Sequence, residues 1–188
     1  LPEVRLIEGD ATEVDLDAIL LGERHRVVAN LPYNVGTRII TGMLARPDLF
    51  DRLVVMVQKE VAQRLVAPVG DRKRGSLSVF VEARAEAKIR IKVPPGAFHP
   101  PPKVHSAVVE LRLHPEARTG GVEVAHFDRV VRLACSAPRK TVRNALRGKY
   151  GAEVVDSALD QAGVDGRARA STLDLAAFQR LAAALVSG

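Results

Sequence analysis

The first half of the chain alternates between short apolar runs and segments whose apolar residues recur at helical spacing. The apolar runs predict strands at residues 4–8, 27–29 and 53–57. Apolar residues three and four positions apart predict a helix over residues 39–44, which ends before Pro47. This succession of strand and helix is typical of an α/β sheet.

The middle of the chain predicts two more strands with a helix before them. Apolar and polar residues alternate over 87–93 and 105–113, which indicates strands, whereas 77–87 fits a crossover helix. The segment 94–102 ends in three successive prolines, which a central strand does not tolerate. We therefore expect a fixed loop there.

The pattern changes near residue 114, after which every periodic segment is helical. The predicted helices cover residues 127–135, 138–147, 153–162 and 173–186. The sequence thus predicts an α/β sheet domain over residues 1–114 and a small all-helical domain over residues 115–188.

The start of the predicted sheet lacks the glycine-rich turn that usually receives a nucleotide in such folds. Gly9 and Gly22 are the only glycines before Asn30. Two explanations stay open: the cofactor loop is absent by nature, or the chain has been cut.

The composition suggests a polyanionic partner and argues against a membrane protein, a disulfide-stabilised protein and a zinc protein. The 188 residues include 28 Lys and Arg against 22 Asp and Glu, a net charge of +6 that suggests a polyanionic partner. No apolar run approaches the roughly 20 residues of a membrane span, so we expect a soluble, cytoplasmic protein without a membrane partner. The single cysteine, Cys135, excludes an internal disulfide framework and a cysteine-based zinc site, and we expect no metal.

Several short motifs occur in order along the chain. They are Gly9-Asp10-Ala11, Asn30-Leu31-Pro32-Tyr33, Gln58-Lys59-Glu60-Val61-Ala62-Gln63-Arg64, Ala97-Phe98-His99-Pro100-Pro101-Pro102-Lys103-Val104, Arg139-Lys140-Thr141-Val142-Arg143-Asn144 and Arg169-Ala170-Ser171-Thr172-Leu173. Together they resemble the motifs of the ribosomal RNA adenine N6,N6-dimethyltransferases. The resemblance extends over the whole chain.

The resemblance implies a Rossmann-like domain that uses S-adenosyl-L-methionine, followed by a helical RNA-binding domain. It also implies dimethylation of two adjacent adenines near the 3′ end of small-subunit rRNA, with a role in ribosome biogenesis. The expected partner is small-subunit rRNA or the immature small ribosomal subunit, and we expect a monomer.

The same resemblance assigns site residues. It implies that Asn30 contacts both the cofactor edge and the target amine, and that Tyr33 and Phe98 hold the flipped adenine. The Asn30 side chain and the Leu31 carbonyl are acceptors that would draw the amine toward tetrahedral geometry. Pro32 biases Leu31 toward an extended backbone, which orients that carbonyl. Asp10, with its neighbour Ala11, resembles the site for the cofactor adenine.

A basic surface is the predicted RNA contact. Arg139, Arg143 and Arg147 are four residues apart, which predicts one face of a helix that begins near Pro138. The full predicted set is Arg72, Lys73, Arg74, Arg139, Lys140, Arg143 and Arg147.

The sequence departs from the family pattern at two points. His105 stands where an acidic residue is usual, and the glycine-rich loop and acidic ribose-binding residue are missing. We therefore expect this chain to be a truncated, inactive form that binds S-adenosylmethionine weakly or not at all. The alternatives are a large-subunit rRNA adenine methyltransferase of the antibiotic-resistance type and a non-catalytic ribosome-assembly factor that binds rRNA.

Overall fold

Four strands and eight α-helices form the parts of the chain that the computed structural model describes, residues 4–20 and 24–186. The first eight elements are α1 (Leu16–Ile19), β1 (His25–Asn30), α2 (Gly36–Leu44), β2 (Phe50–Gln58), α3 (Lys59–Leu65), α4 (Ser76–Arg84), β3 (Ala85–Val93) and β4 (Ser106–Leu113). The last four are α5 (Val124–Cys135), α6 (Val142–Tyr150), α7 (Ala152–Ala162) and α8 (Leu175–Ala184). Short 3₁₀ turns cover Pro95–Ala97 and Ala170–Thr172.

The strands form one mixed sheet in the order β1-β2-β4-β3. Strands β1 and β2 run parallel, whereas β4 runs antiparallel to both of its neighbours. The carboxyl ends of β1, β2 and β3 therefore meet the amino end of β4 at one edge of the sheet. We call this edge the loop edge, because the segments 31–35 and 94–105 emerge from it.

One face of the sheet is covered by α2, α3 and α4. The core residues of this layer are apolar side chains of the strands and of the facing helices: Ile39, Ile40, Leu44, Phe50, Leu53, Val55, Val57, Ala62, Leu65, Val81, Ala107, Val109 and Leu111. The opposite face is more exposed, and Val28 on it is 84% exposed. On that face Glu110 accepts hydrogen bonds from Arg90 and Arg112.

A second core lies among α5, α6, α7 and α8. It buries Phe127, Leu146, Phe178 and Leu181 together with Val79 and Ala83, which α4 contributes from the sheet layer. Helix α4 thus packs against both cores. The predicted domain boundary at residue 114 falls in the connection between β4 and α5, and it stays a prediction.

Most predicted elements are confirmed, and with them the α/β fold class followed by helices. The predicted strand at 4–8 is wrong: these residues have no strand partner, and Leu6 is 93% exposed. The predicted helix start near Pro138 is also wrong. Helix α6 begins at Val142, because the Thr141 hydroxyl accepts a hydrogen bond from the Asn144 N–H at 3.3 Å and caps the helix there.

Candidate active site

Asn30 is the last residue of β1, and it places the Asn30–Tyr33 motif at the loop edge. The neighbouring Leu31 is buried, and its N–H donates to the Met56 carbonyl at 3.2 Å, which continues the pairing between β1 and β2. Within the described residues, the Leu31 carbonyl accepts no hydrogen bond and the Asn30 side chain makes none. Both groups therefore remain available to a ligand.

The turn after Leu31 leads directly into α2. The Pro32 carbonyl accepts hydrogen bonds from the N–H groups of Val35, at 3.3 Å, and Gly36, at 2.9 Å. Gly36 allows close packing here, since a Cβ at this position would lie 3.3 Å from the Leu31 Cβ, a tight contact. The helix thus fixes the turn from one side while the sheet fixes it from the other.

An open cavity of about 440 Å³ lies at the loop edge. Its lining residues come from the Asn30–Tyr33 turn and from the proline-rich loop: Asn30, Leu31, Pro32, Tyr33, Phe98, His99, Pro100 and Pro102. The structure therefore brings together all five residues of the predicted adenine site. Tyr33 is 38% exposed and Phe98 is half-buried, so both residues keep surface that is accessible from the cavity.

Ser106 contacts this site from behind Tyr33 without lining the cavity, and the sequence did not predict it. Its hydroxyl lies 2.7 Å from the Tyr33 hydroxyl, and Ser106 itself is 1% exposed. The strand register places it on the same face of the sheet as Asn30, because Asn30 pairs with Met56 and Met56 with Val108, two residues beyond Ser106. A polar residue at the start of an alternating strand was the signal that could have identified it.

The Gln58–Arg64 motif joins the proline-rich loop to the sheet. Gln58 pairs with Ser106 in the strand register, and the Lys59 N–H donates to the His105 carbonyl at 2.9 Å. This motif therefore supports the far end of the loop that carries Phe98.

Asp10 lies in a turn, not at the end of a strand. Its carbonyl accepts hydrogen bonds from the N–H groups of Glu13 and Val14, both at 2.9 Å. The Thr12 N–H and hydroxyl both bind Asp10 Oδ1, at 2.8 Å, and they lower the pKa of the carboxyl group, as does the charge of Arg38 to a smaller degree. Asp10 is thus held ionised, and its Oδ2 accepts no hydrogen bond from the described residues.

The three residues of the predicted basic patch at 72–74 differ in their exposure to solvent. Arg72 and Lys73 are exposed, as the prediction requires. Arg74 is only 6% exposed, so its prediction as a surface contact is corrected. Its guanidinium donates to the carbonyls of Leu173, at 3.3 Å, and Ala67, at 3.2 Å, and to the Glu82 carboxylate at 2.6 Å.

The predicted arginine stripe also changes in the structure. Arg139 precedes α6, so only Arg143 and Arg147 share a face of that helix. Arg143 forms a two-point ion pair with Asp156 of α7. Arg139, Lys140 and Arg147 are exposed, and the described residues include no ion-pair partner for them.

Metal and membrane features are absent from the described residues. No group of three or more His, Cys, Asp and Glu side chains in residues 4–20 and 24–186 could hold a metal ion. No helix in the same ranges has the length and hydropathy to cross a membrane. Cys135 is half-buried, and burial raises the pKa of its thiol to about 11.

Comparisons with known proteins identify similar chains. Residues 2–186 match the family model described as "Ribosomal RNA adenine dimethylase". The chain is 42% identical over 188 residues to "Ribosomal RNA small subunit methyltransferase A" of Dinoroseobacter shibae, covering 98% of this chain and 66% of that protein. Across four curated relatives of this name, the chain spans 62–66% of their length.

Two solved structures have a similar Rossmann-like fold. A dimethyladenosine transferase from Plasmodium falciparum superposes with a TM-score of 0.77 at 24% identity, over 93% of this chain and 70% of that one. The 23S rRNA methyltransferase ErmE superposes with a TM-score of 0.67 at 25% identity, over 98% of this chain and 73% of that one.

Proposed function

Because this chain belongs to the ribosomal RNA adenine dimethylase family, we propose that its gene product dimethylates the N6 amines of two adjacent adenines near the 3′ end of small-subunit rRNA. The proposed methyl donor is S-adenosyl-L-methionine, and the proposed partner is the immature small ribosomal subunit in the cytoplasm. The observation that carries this proposal is the cavity where Asn30, the Leu31 carbonyl, Tyr33 and Phe98 meet.

The two aromatic rings supply the binding surface for the adenine. An enzyme that acts on an exocyclic amine has to remove the base from its stack, and an aromatic face compensates for the lost stacking. Such base–aromatic stacking contributes about 1–3 kcal/mol per base. Tyr33 and Phe98 both line the cavity and both keep accessible ring surface, which suits this role.

Asn30 and Leu31 supply the acceptors for the amine. The lone pair of an adenine amine is delocalised into the ring, so the nitrogen is a poor nucleophile until its geometry changes. The Asn30 side-chain oxygen and the Leu31 carbonyl would each accept one N–H and orient the lone pair. Both are free among the described residues, and the hydrogen bond from the Leu31 N–H to the Met56 carbonyl holds the Leu31 backbone against β2.

Positioning accounts for much of the expected rate. S-adenosylmethionine, when bound, supplies an activated methyl group, so the protein has to align nitrogen and carbon rather than provide a strong base. The amine proton can leave to solvent through the open side of the cavity. No histidine of this chain is assigned to that step.

Asp10 suits the adenine end of the methyl donor, and Asn30 suits the end near the target amine. The ionised Asp10 carboxylate keeps one oxygen, Oδ2, without a hydrogen bond from the described residues, and an adenine amine is a matching donor. We assign to Asp10 and Ala11 the cofactor adenine and to Asn30 the edge nearest the target amine.

The proposed rRNA contacts are the exposed cations. Phosphates contribute most of the affinity in RNA recognition, so accessible guanidinium and ammonium groups suit the substrate. Arg72, Lys73, Arg139, Lys140 and Arg147 meet this condition. We expect Arg143 to contribute less, because its Nε and Nη2 already donate to Asp156, which neutralises its charge locally.

Methyl transfer to unmethylated small ribosomal subunits tests the proposal. With the gene product that carries this sequence, we expect Asn30→Ala to lower kcat by about 100-fold or more, the usual cost of removing one preorganised hydrogen-bonding group. The matched control is Asn34→Ala, which removes an exposed asparagine of the same turn that does not line the cavity. Equal activity of the two variants would contradict the proposed role of Asn30.

A further inference from the structure

We propose that Ser106 is a positioning residue of the adenine site: its hydroxyl fixes the Tyr33 ring in the orientation that stacking requires. This inference rests on the proposed function, because it assumes that Tyr33 stacks on an adenine. Ser106 does not line the cavity and has no assigned contact with substrate. It acts through Tyr33, whose hydroxyl lies 2.7 Å from Ser106 Oγ.

Ser106 is a rigid anchor. It is the first residue of β4, and it pairs with Gln58 of β2 on one side and with Val93 of β3 on the other. Its backbone is therefore fixed from both sides within the sheet. Tyr33, in contrast, lies in a turn outside any helix or strand. The backbone of this turn is held by β2 and α2, but among the described residues the Tyr33 hydroxyl has only Ser106 as a hydrogen-bond partner, which therefore orients the ring.

We infer that the same hydrogen bond also sets the distance between the Tyr33 ring and the Phe98 ring. The turn with Tyr33 follows β1, and the loop with Phe98 ends where β4 begins at Ser106. The hydrogen bond between Tyr33 and Ser106 thus connects the turn after β1 to the start of β4, where the loop with Phe98 ends. Tyr33 is 38% exposed even with this bond, so without it we expect the phenol to turn toward water and the gap between the rings to vary.

Adenosine 5′-monophosphate is a probe of the adenine site, and ligand-observed NMR measures its affinity without methyl transfer. The affinity is compared in a chain that carries Asp10→Ala throughout, so that binding at the proposed cofactor-adenine position does not contribute. We expect Ser106→Ala to weaken the affinity about fivefold, the effect of one hydroxyl hydrogen bond. Tyr33→Phe keeps the stacking ring but removes the hydroxyl, and we expect the same loss. The double variant should bind no more weakly than either single variant, and Ser106→Thr should restore most of the affinity.

Ser78→Ala is the matched control. Ser78 is likewise buried, and its hydroxyl donates to the Arg64 carbonyl at 2.6 Å, but it lies in α4 and does not line the cavity at the loop edge. We expect this variant to lose stability and to keep its affinity for the nucleotide.

The outcomes distinguish a failure of the role of Ser106 from a failure of the adenine site itself. Additive losses in the double variant, or an unchanged affinity in Ser106→Ala while the Asp10→Ala chain binds, would overturn the role of Ser106 and leave the proposed function intact. If the Asp10→Ala chain itself fails to bind the nucleotide, the adenine site and the role of Ser106 are overturned together. If Ser106→Ala does not fold, the comparison of Tyr33→Phe with Ser106→Thr decides: equal affinity of these two variants overturns the inference.

Discussion

Arg74 is the residue whose replacement most sharply separates a structural role from RNA binding. Its side chain is 2% exposed and connects three parts of the molecule: the Ala67 carbonyl after α3, the Leu173 carbonyl before α8, and the Glu82 carboxylate on α4. Arg74→Ala would leave two carbonyls without their donor and would remove the cation that pairs with Glu82.

The size of the effect follows from these contacts. A hydrogen bond to a charged group contributes about 1.5–3 kcal/mol, and breaking a buried ion pair costs about 3–5 kcal/mol. Glu82 is 40% exposed and can be rehydrated, so we expect the lower end, about 3 kcal/mol in the free energy of unfolding. For a chain of this size, that loss corresponds to a fall in Tm of roughly 6–12 °C.

Arg72→Ala is the matched control, since Arg72 is exposed in the same loop. We expect it to change the free energy of unfolding by less than about 0.5 kcal/mol. Urea unfolding of both variants measures the difference, and RNA binding over a range of salt concentrations measures the other role. If Arg74→Ala destabilises the protein no more than Arg72→Ala does, the structural role of Arg74 is refuted.

Three further predictions concern other parts of the chain. Arg147→Ala should reduce the slope of log binding constant against log salt concentration for rRNA by about 0.7–0.9. Arg143→Ala should change this slope less, because Arg143 is paired with Asp156. Equal slopes for the two variants would contradict this prediction. At pH 8, Cys135 should react with a disulfide reagent about 100-fold more slowly in the folded than in the urea-unfolded chain, because burial raises its pKa from 9.0 to about 11. Calorimetric titration of this 188-residue chain should show S-adenosylmethionine binding weaker than micromolar, since its sequence up to Asn30 contains no glycine-rich turn; micromolar affinity would refute this expectation.

Local pattern was sufficient to predict most of the fold. The apolar run at 53–57 became β2, and the prolines after residue 94 became a loop, because each signal is complete within a few residues. The strand predicted at 4–8 failed because a strand depends on a hydrogen-bonding neighbour, which its own residues do not specify. The helix start near Pro138 failed because Thr141 provides a better cap.

In the candidate site too, features set by a short stretch of sequence could be predicted, whereas features set by distant residues could not. Asn30 and Tyr33 could be predicted from the resemblance of their motif to that of a known family, and the structure places them beside Phe98. The partners of the site could not be predicted, because Ser106 lies 73 residues from Tyr33 along the chain. Arg74 was misassigned for a similar reason: an arginine that directly follows two exposed cations gives no sign that distant carbonyls bury it.

The most direct test of the central claim is the position of the methylated nucleoside in ribosomal RNA. The gene product that carries this sequence is incubated with methyl donor and a mixture of unmethylated small and large ribosomal subunits, and N6,N6-dimethyladenosine is then mapped by mass spectrometry. The account predicts dimethylation of two adjacent adenines near the 3′ end of the small-subunit rRNA, lost in Asn30→Ala. Dimethyladenosine confined to the large-subunit rRNA, or its absence from both, would contradict it.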